Sequence, residues 1–343
     1  MGSSIGLSPF QRIMRWFLDF EAPTFSKKDI HHFLFINWHG KIGDAFISSF
    51  LIRELKKIHH LNTVSVITTP ELKNIYEVFN VDNIYVIDRC NRLDFYSLIL
   101  KIKKIDAIIP LLGVLDFKHF FLFHVLKPKI IFGLDQSLRL INPSFLVKSK
   151  GCVVHDVYKN ILFFLDYKNH DDSYILPKFE KVKKYDIVIN PFGSRPDKSL
   201  SSKKLDSIIA SIYDNFSNVK MCLISHLEDE DLIEMQNRYK SKALELIKVN
   251  SIFDSIDVLS CSRSVISVDT SIVHIAAGLK INTIAIYCMH DSEVNIWHPR
   301  QDAPVSIIYS RPSFHKKNMN FFDNELIILQ LRSFWKKGDT DDE

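Results

Sequence analysis

The residues of this chain that could do chemistry gather where apolar runs end. The run His32–Asn37 gives way to Trp-His-Gly-Lys-Ile-Gly-Asp, so Gly40, Lys41, Gly43 and Asp44 follow a hydrophobic segment directly. Two glycines let backbone approach a ligand, and a helix starting there aims its first amides at it. Asp44 at that start has two readings: a carboxylate that caps the helix and suits its dipole, or a base that takes a proton from an attacking hydroxyl. The order Gly-x-x-Gly-Asp is not the Gly-x-Gly-x-x-Gly fingerprint of dinucleotide sites. A second cluster, Asn190-Pro-Phe-Gly-Ser-Arg-Pro-Asp-Lys198, sets Gly193, Ser194, Arg195 and Lys198 after another apolar run. Amides, a hydroxyl and two cations can cradle a pyrophosphate; the alternative is an ordinary exposed loop. The third cluster is Asp269-Thr270-Ser271, with His274 one helical turn on. Its hydroxyls and first-turn amides suit phosphate oxygens, while His274 reads either as a ligand-end residue or as a packed core imidazole.

Elements of one kind must position these clusters. Apolar runs at 32–37, 64–68, 83–88, 106–112 and 129–134 alternate with amphipathic stretches, among them Ile47, Phe50, Leu51 and Leu55 on one helical face. The rhythm restarts at 185–190 and continues through 219–225, 244–249, 264–269 and 283–288, with a last helix near Asn324–Trp335. Short buried strands between amphipathic helices predict parallel sheets covered on both faces. The polar segment 168–186 reads as a linker. The expected organisation is an N-terminal extension over 1–31, Rossmann-like domains over 32–175 and 176–323, and a C-terminal helix with acidic tail over 324–343. In open parallel sheets ligands sit beyond the carboxyl ends of the strands, where all three clusters lie. Within the extension, Phe10, Ile13, Met14 and Phe17 fall at helical spacing among Arg12, Arg15 and Asp19. That pattern is an amphipathic helix over 8–20 able to enter a membrane interface or to pack on its own domain.

Composition narrows the function classes. With 46% hydrophobic and 24% charged residues over 343 positions, two cores form without staples. A net charge of +4 without a lysine-arginine block argues against nucleic acid as a partner. The five cysteines include no Cys-x-x-Cys pair, and no His-Glu-x-x-His run occurs; reduced thiols and no metal centre are expected. Arg12, Arg15 and Asp19 interrupt the first apolar stretch, so no secretory signal is read and a cytoplasmic location is expected.

In order and spacing these motifs resemble glycosyltransferase family 9, the ADP-heptose:lipopolysaccharide heptosyltransferases. Lys41-Ile42-Gly43-Asp44 is similar to the family's turn after the first strand. Asn190 to Lys198 is similar to its Pro-Gly turn ending at a lysine, and Asp269-Thr270-Ser271 with His274-Ile275-Ala276-Ala277 to its Asp-Thr-Gly turn and following helix. Lys129-Ile-Ile-Phe-Gly133 and His155-Asp156-Val157 are smaller echoes. Ser271 replaces the family's glycine, and Trp38 stands where many members carry arginine.

The resemblance implies an α/β GT-B fold, two Rossmann-like domains facing a central cleft, and an inverting, metal-independent reaction without a cofactor. Asp44 would be the base, with Lys41 and Gly43 on the acceptor side. Gly193, Ser194, Arg195, Lys198, Asp269, Thr270, Ser271 and His274 would hold the donor, and Glu228 its ribose. The donor expected is a nucleotide sugar, ADP-heptose. The acceptor expected is lipopolysaccharide or another glycan, with peripheral contact to the cytoplasmic face of the inner membrane. Two rival functions use the same loops: transfer from a different nucleotide sugar, and donor binding without turnover.

Overall fold

The computed structural model describes residues 23–87, 92–111, 115–134, 141, 145, 148–149, 151–177, 182–226, 229–239, 244–289, 296–300, 302–311 and 318–338. The helix expected over 8–20 lies outside them. The chain divides between Ile175 and Leu176 into two compact units.

In the first unit the alternation runs β1 (His32–Asn37), α1 (Ile42–Ile58), β2 (Thr63–Thr68), α2 (Lys73–Val78), β3 (Asn83–Val86), α3 (Arg92–Ile99), β4 (Ala107–Ile109), α4 (Phe117–Leu126), β5 (Ile130–Ile131) and α5 (Val154–Phe164). The strands form one parallel sheet in the order β3-β2-β1-β4-β5. Phe33 to Ile36 are all buried, because a central parallel strand has helices on both faces. The chain builds outward from β1 through β2 to β3, then returns to the other side with β4. The carboxyl ends of β1 and β4 therefore flank the point where strand order reverses, the place where open α/β sheets take ligands. β4 ends early: Pro110 has no amide for a ladder, and Leu111 has a left-handed φ of 24°.

The second unit contains β6 (Tyr185–Asn190), α6 (Ser202–Asn215), β7 (Met221–Ser225), α7 (Asp229–Tyr239), β8 (Leu244–Lys248), α8 (Ile252–Ser260), β9 (Ser262–Val268), α9 (Ser271–Gly278), β10 (Asn282–Cys288), β11 (Val305–Ser310) and α10 (Glu325–Gly338). Its parallel sheet has the order β11-β10-β9-β6-β7-β8. Here the reversal falls between β6 and β9. Their pairing, Val188 opposite Val265 and Asn190 opposite Ser267, sets the second and third sequence clusters side by side.

Three sequence expectations change. Strand β11, Val-Ser-Ile-Ile-Tyr-Ser, escapes the pattern reading because serines interrupt it and it lies at the sheet edge. The strand expected over 129–134 reduces to Ile130–Ile131. The segment taken as a linker is docked along part of its length: Arg53 on α1 donates to the Ser173 carbonyl at 3.0 Å, and the Ile175 amide donates to Ser49 Oγ at 2.8 Å. The four described cysteines, Cys152, Cys222, Cys261 and Cys288, are free thiols.

Candidate active site

At the reversal point of the first unit, Gly40 turns the chain out of β1 with a φ of 66°, a conformation that favours glycine. Asn37, the last residue of β1, donates to the Lys41 carbonyl at 3.2 Å and to the Tyr76 hydroxyl at 2.9 Å, which fixes the turn from beneath. Lys41 is exposed, and Gly43 lies inside the first turn of α1. Asp44 does not cap this helix. Lys41 holds the cap position with no side-chain bond, and Asp44 stands in the first turn, 8% exposed. A buried carboxylate is costly unless its surroundings carry its charge; the helix start supplies part of that. Two buried tyrosines, Tyr76 on α2 and Tyr158 on α5, sense it. Burial raises both phenols above their usual range, and the Asp44 charge raises them further. Both remain protonated donors, and the Tyr158 hydroxyl has no hydrogen-bond partner among the described residues.

The sequence reading missed a second group at this point. Asp116 caps α4, accepting from the His119 amide at 3.2 Å, and its Oδ1 lies 2.8 Å from His119 Nδ1. Burial raises the Asp116 carboxyl, but the His119 bond and charge outweigh it and hold it below the usual range. The His119 ring lies 4.4 Å from Trp38 and 6.0 Å from His39 between centroids. Trp38 Nε1 is buried with no acceptor among the described residues. Adjacency of β1 and β4 creates this grouping; the local signal was only the Asp-x-x-His capping spacing.

In the second unit the β6 and β9 loops interlock. Asn190 donates to Ser267 Oγ at 2.9 Å and to Thr270 Oγ1 at 3.1 Å. Thr270 in turn caps α9, accepting from the Ile272 amide at 3.3 Å. Lys198, at the end of a single 3-10 turn, meets Asp269 at 3.0 Å, both being about one-fifth exposed. A cation, a hydroxyl and the first-turn amides at Ser271 thus share one strand-end edge, a combination suited to a diphosphate. Sequence reasoning named Lys198, Asp269 and Thr270 but not their pairing, nor Asn190 as the residue that joins them.

The other expected donor residues of this loop have partners within it or lie exposed. Arg195 turns onto Asp197, at 3.0 and 2.9 Å, and Ser194 is exposed. The Gly193 amide is already used, donating to Ser199 Oγ at 2.9 Å. Gly193 also permits close packing: a Cβ there would collide with the Lys198 carbonyl oxygen. Gly193→Ala should therefore displace Lys198 backbone and destabilise the second unit by about 1–3 kcal/mol, read in a denaturant titration; an unchanged midpoint means the loop adjusts freely. Glu228 lies outside the described residues. Before it, His226 and Phe192 meet edge to face at 5.7 Å beyond β7 and β6.

His274 is a buried imidazole on α9. Burial, then the charge of His298, lowers it from 6.5 to about 4, and its Nδ1 has no partner among the described residues. Because the folded value lies below the unfolded one, its contribution is whole above pH 6.5 and lost as pH falls toward 4. The stability difference between wild type and His274→Leu should shift against wild type by up to about 1.4 kcal/mol per pH unit in that window. A constant difference from pH 7 to 4.5 would show that His274 titrates normally. Among the described residues, no three His, Cys, Asp or Glu side chains converge as metal ligands.

Comparison with known proteins meets this geometry. A curated protein of Escherichia coli (strain K12), provisionally named lipopolysaccharide heptosyltransferase 4, is 22% identical over 311 residues, covering 84% of this chain and 83% of its own. The crystal structure of the glycosyl transferase family 9 from Veillonella parvula DSM 2008 superposes with a TM-score of 0.69 at 13% identity, over 92% of this chain and all of that one. Escherichia coli heptosyltransferase WaaC with ADP gives 0.64 at 14% identity, over 89% of this chain and all of that one. These likenesses show the GT-B construction from two Rossmann-like units. The profile of glycosyltransferase family 9 (heptosyltransferase) matches residues 100–321, from just after α3 to the segment before α10. The chain is a glycosyltransferase and belongs to family 9, the heptosyltransferases.

Proposed function

We propose that the protein transfers a heptose from ADP-heptose to a lipopolysaccharide core or related glycan, with inversion at the anomeric carbon. The observation that carries this reading is the edge shared by Lys198, Asp269, Asn190 and Thr270 where strand order reverses in the second unit. An acceptor hydroxyl attacks the anomeric carbon, Asp44 takes its proton, and the diphosphate leaves with the bonding electrons. Negative charge growing on the diphosphate meets Lys198 and the first-turn amides of α9. The group Trp38, His39, Asp116 and His119 offers an indole donor, imidazoles and a carboxylate, a set suited to the hydroxyls of an acceptor sugar. Lys198 serves as the cation for the leaving group, so excess chelator should leave the transfer rate unchanged; a loss restored by magnesium or manganese overturns that part.

The adenine nucleotide is tested by melting the protein with ADP, UDP and GDP. A ligand at 100 times its dissociation constant stabilises by about 2.7 kcal/mol. ADP should raise the melting temperature more than the other two, and a larger shift with UDP or GDP assigns a different donor. Because the acceptor proposed is lipid-linked, the protein also meets the cytoplasmic membrane face peripherally; among the described residues no helix is long and apolar enough to cross a membrane.

A further inference from the structure

One face of the first unit is too apolar for open solvent and carries one sign of charge. On α3, Tyr96 is 43% exposed, and Leu100, one turn on and just past the helix end, its amide donating to the Tyr96 carbonyl, is 83% exposed. On α4, Val125 is 41% exposed, and Phe121 is half-buried one turn before it. The Tyr96 and Phe121 rings meet edge to face at 5.2 Å, and Phe117 lies 6.3 Å from Phe121, so the two helices present one stripe. Residues at i and i+4 share a helical face, which makes Tyr96 with Leu100, and Phe121 with Val125, neighbours. Isolated exposed apolar residues need no explanation, but a contiguous stripe marks an interaction surface.

The charge around it is cationic. Lys101, Lys103, Lys104 and Lys127 are exposed beside the Leu100 and Val125 ends, and Lys118 lies 5.7 Å over the Phe95 ring. The first four have no ion-pair partner among the described residues. The nearby described acids are engaged: Asp106 with Lys129 at 2.8 Å and Asp116 with His119. Aromatic and aliphatic side chains rimmed by free lysines match an interface of acyl chains below and anionic headgroups above.

We propose that the α3–α4 face docks on a membrane surface of anionic lipid. This starts from the peripheral contact proposed above and names the surface that makes it. Tyr96, Leu100, Phe121 and Val125 enter the headgroup boundary, while the four lysines meet lipid phosphates. The test is sedimentation of the full chain with vesicles of phosphatidylethanolamine and phosphatidylglycerol, and with neutral phosphatidylcholine vesicles. Wild type should bind the anionic vesicles, and less so as salt rises. The double variant L100E and V125E, altering side chains already exposed, should lower partition at least about tenfold with an unchanged melting temperature. A second variant, Gln at Lys101, Lys103, Lys104 and Lys127, should lower it at least about tenfold on anionic vesicles alone.

Wild-type partition in both variants overturns the proposal and leaves residues 8–20, or another surface, as the contact. Equal binding to neutral vesicles overturns the charge argument and with it the anionic partner. A dimer that L100E and V125E dissolve, with vesicle binding intact, shows the face seats a second copy instead. Melting with ADP on the same samples is independent of all these arms. Lost vesicle binding with a normal ADP shift therefore separates this surface from the transfer reading.

Discussion

Asp44→Asn should lower turnover by roughly 10²–10⁴ while leaving the fold and donor binding intact. The expectation rests on where the carboxylate stands. It is buried in the first turn of α1, just beyond the reversal point of the first sheet, and it does not fill the cap position. Asparagine keeps its size and its side-chain oxygen can still accept hydrogen bonds. Its loss in stability is therefore limited to the charge–dipole part, about 0.3–1 kcal/mol. What asparagine cannot do is accept the proton of an attacking hydroxyl. Donor affinity should stay near wild type, because Lys198, Asp269 and Thr270 belong to the other unit. Three measurements on one variant separate the roles. Lost turnover with a normal melting temperature and normal ADP binding supports the base. Near-normal turnover removes Asp44 from the chemistry. A large drop in melting temperature makes it a structural carboxylate that Tyr76 and Tyr158 accommodate.

The sheets and the three clusters are visible in the sequence for a physical reason. A strand buried on both faces has no polar side, so Phe33 to Ile36 and Ile187 to Ile189 stand out as unbroken apolar runs. A loop that follows such a run lies at the ligand end of a parallel sheet, so Asp44, Lys198 and Asp269 can be singled out from position alone. Contacts that depend on strand order are not visible in this way. Asn190 reaches Thr270 only because β6 pairs with β9, and His119 lies on Trp38 because β4 pairs with β1. Neither pairing joins neighbours in the chain. Strand β11 is hidden for the opposite reason: an edge strand needs no continuous apolar run, and Ser306, which donates to Gln330 on α10 at 2.8 Å, breaks it on one face while Tyr309 is exposed on the other. The apolar α3–α4 stripe escapes the sequence because Phe121 and Val125 look like core residues until packing leaves them at the surface. The partners that Gly193 and Arg195 take within their own loop are likewise hidden from a residue-by-residue reading. In the folded loop, the Gly193 amide and the Arg195 guanidinium already have partners within a few residues.

Lys198→Ala should raise the donor KM and lower donor kcat/KM by roughly 10- to 100-fold, from the loss of a charge-assisted contact of about 1.5–3 kcal/mol. The ion pair with Asp269 sharpens the argument. Lys198 and Asp269 are each about one-fifth exposed, 3.0 Å apart, on loops that β6 and β9 bring together. Removing the ammonium takes away the cation offered to the diphosphate. It also leaves the Asp269 carboxylate unneutralised beside the place the diphosphate would occupy, and like charge there repels. Two sources of loss can be told apart. Asp269→Asn added to Lys198→Ala removes the repulsion without restoring the cation. If repulsion contributes, the double variant should recover part of the donor affinity lost by the single one, a coupling that a double-mutant cycle reads directly. Acceptor KM should change little in either variant, since the acceptor side is assigned to the first unit. The ADP-induced rise in melting temperature should shrink in Lys198→Ala in step with the donor constants. Unchanged donor kinetics and an unchanged ADP shift would mean that the pair only ties the β6 and β9 loops together. The diphosphate would then have to be met elsewhere, with the first-turn amides of α9 as the remaining group on this edge.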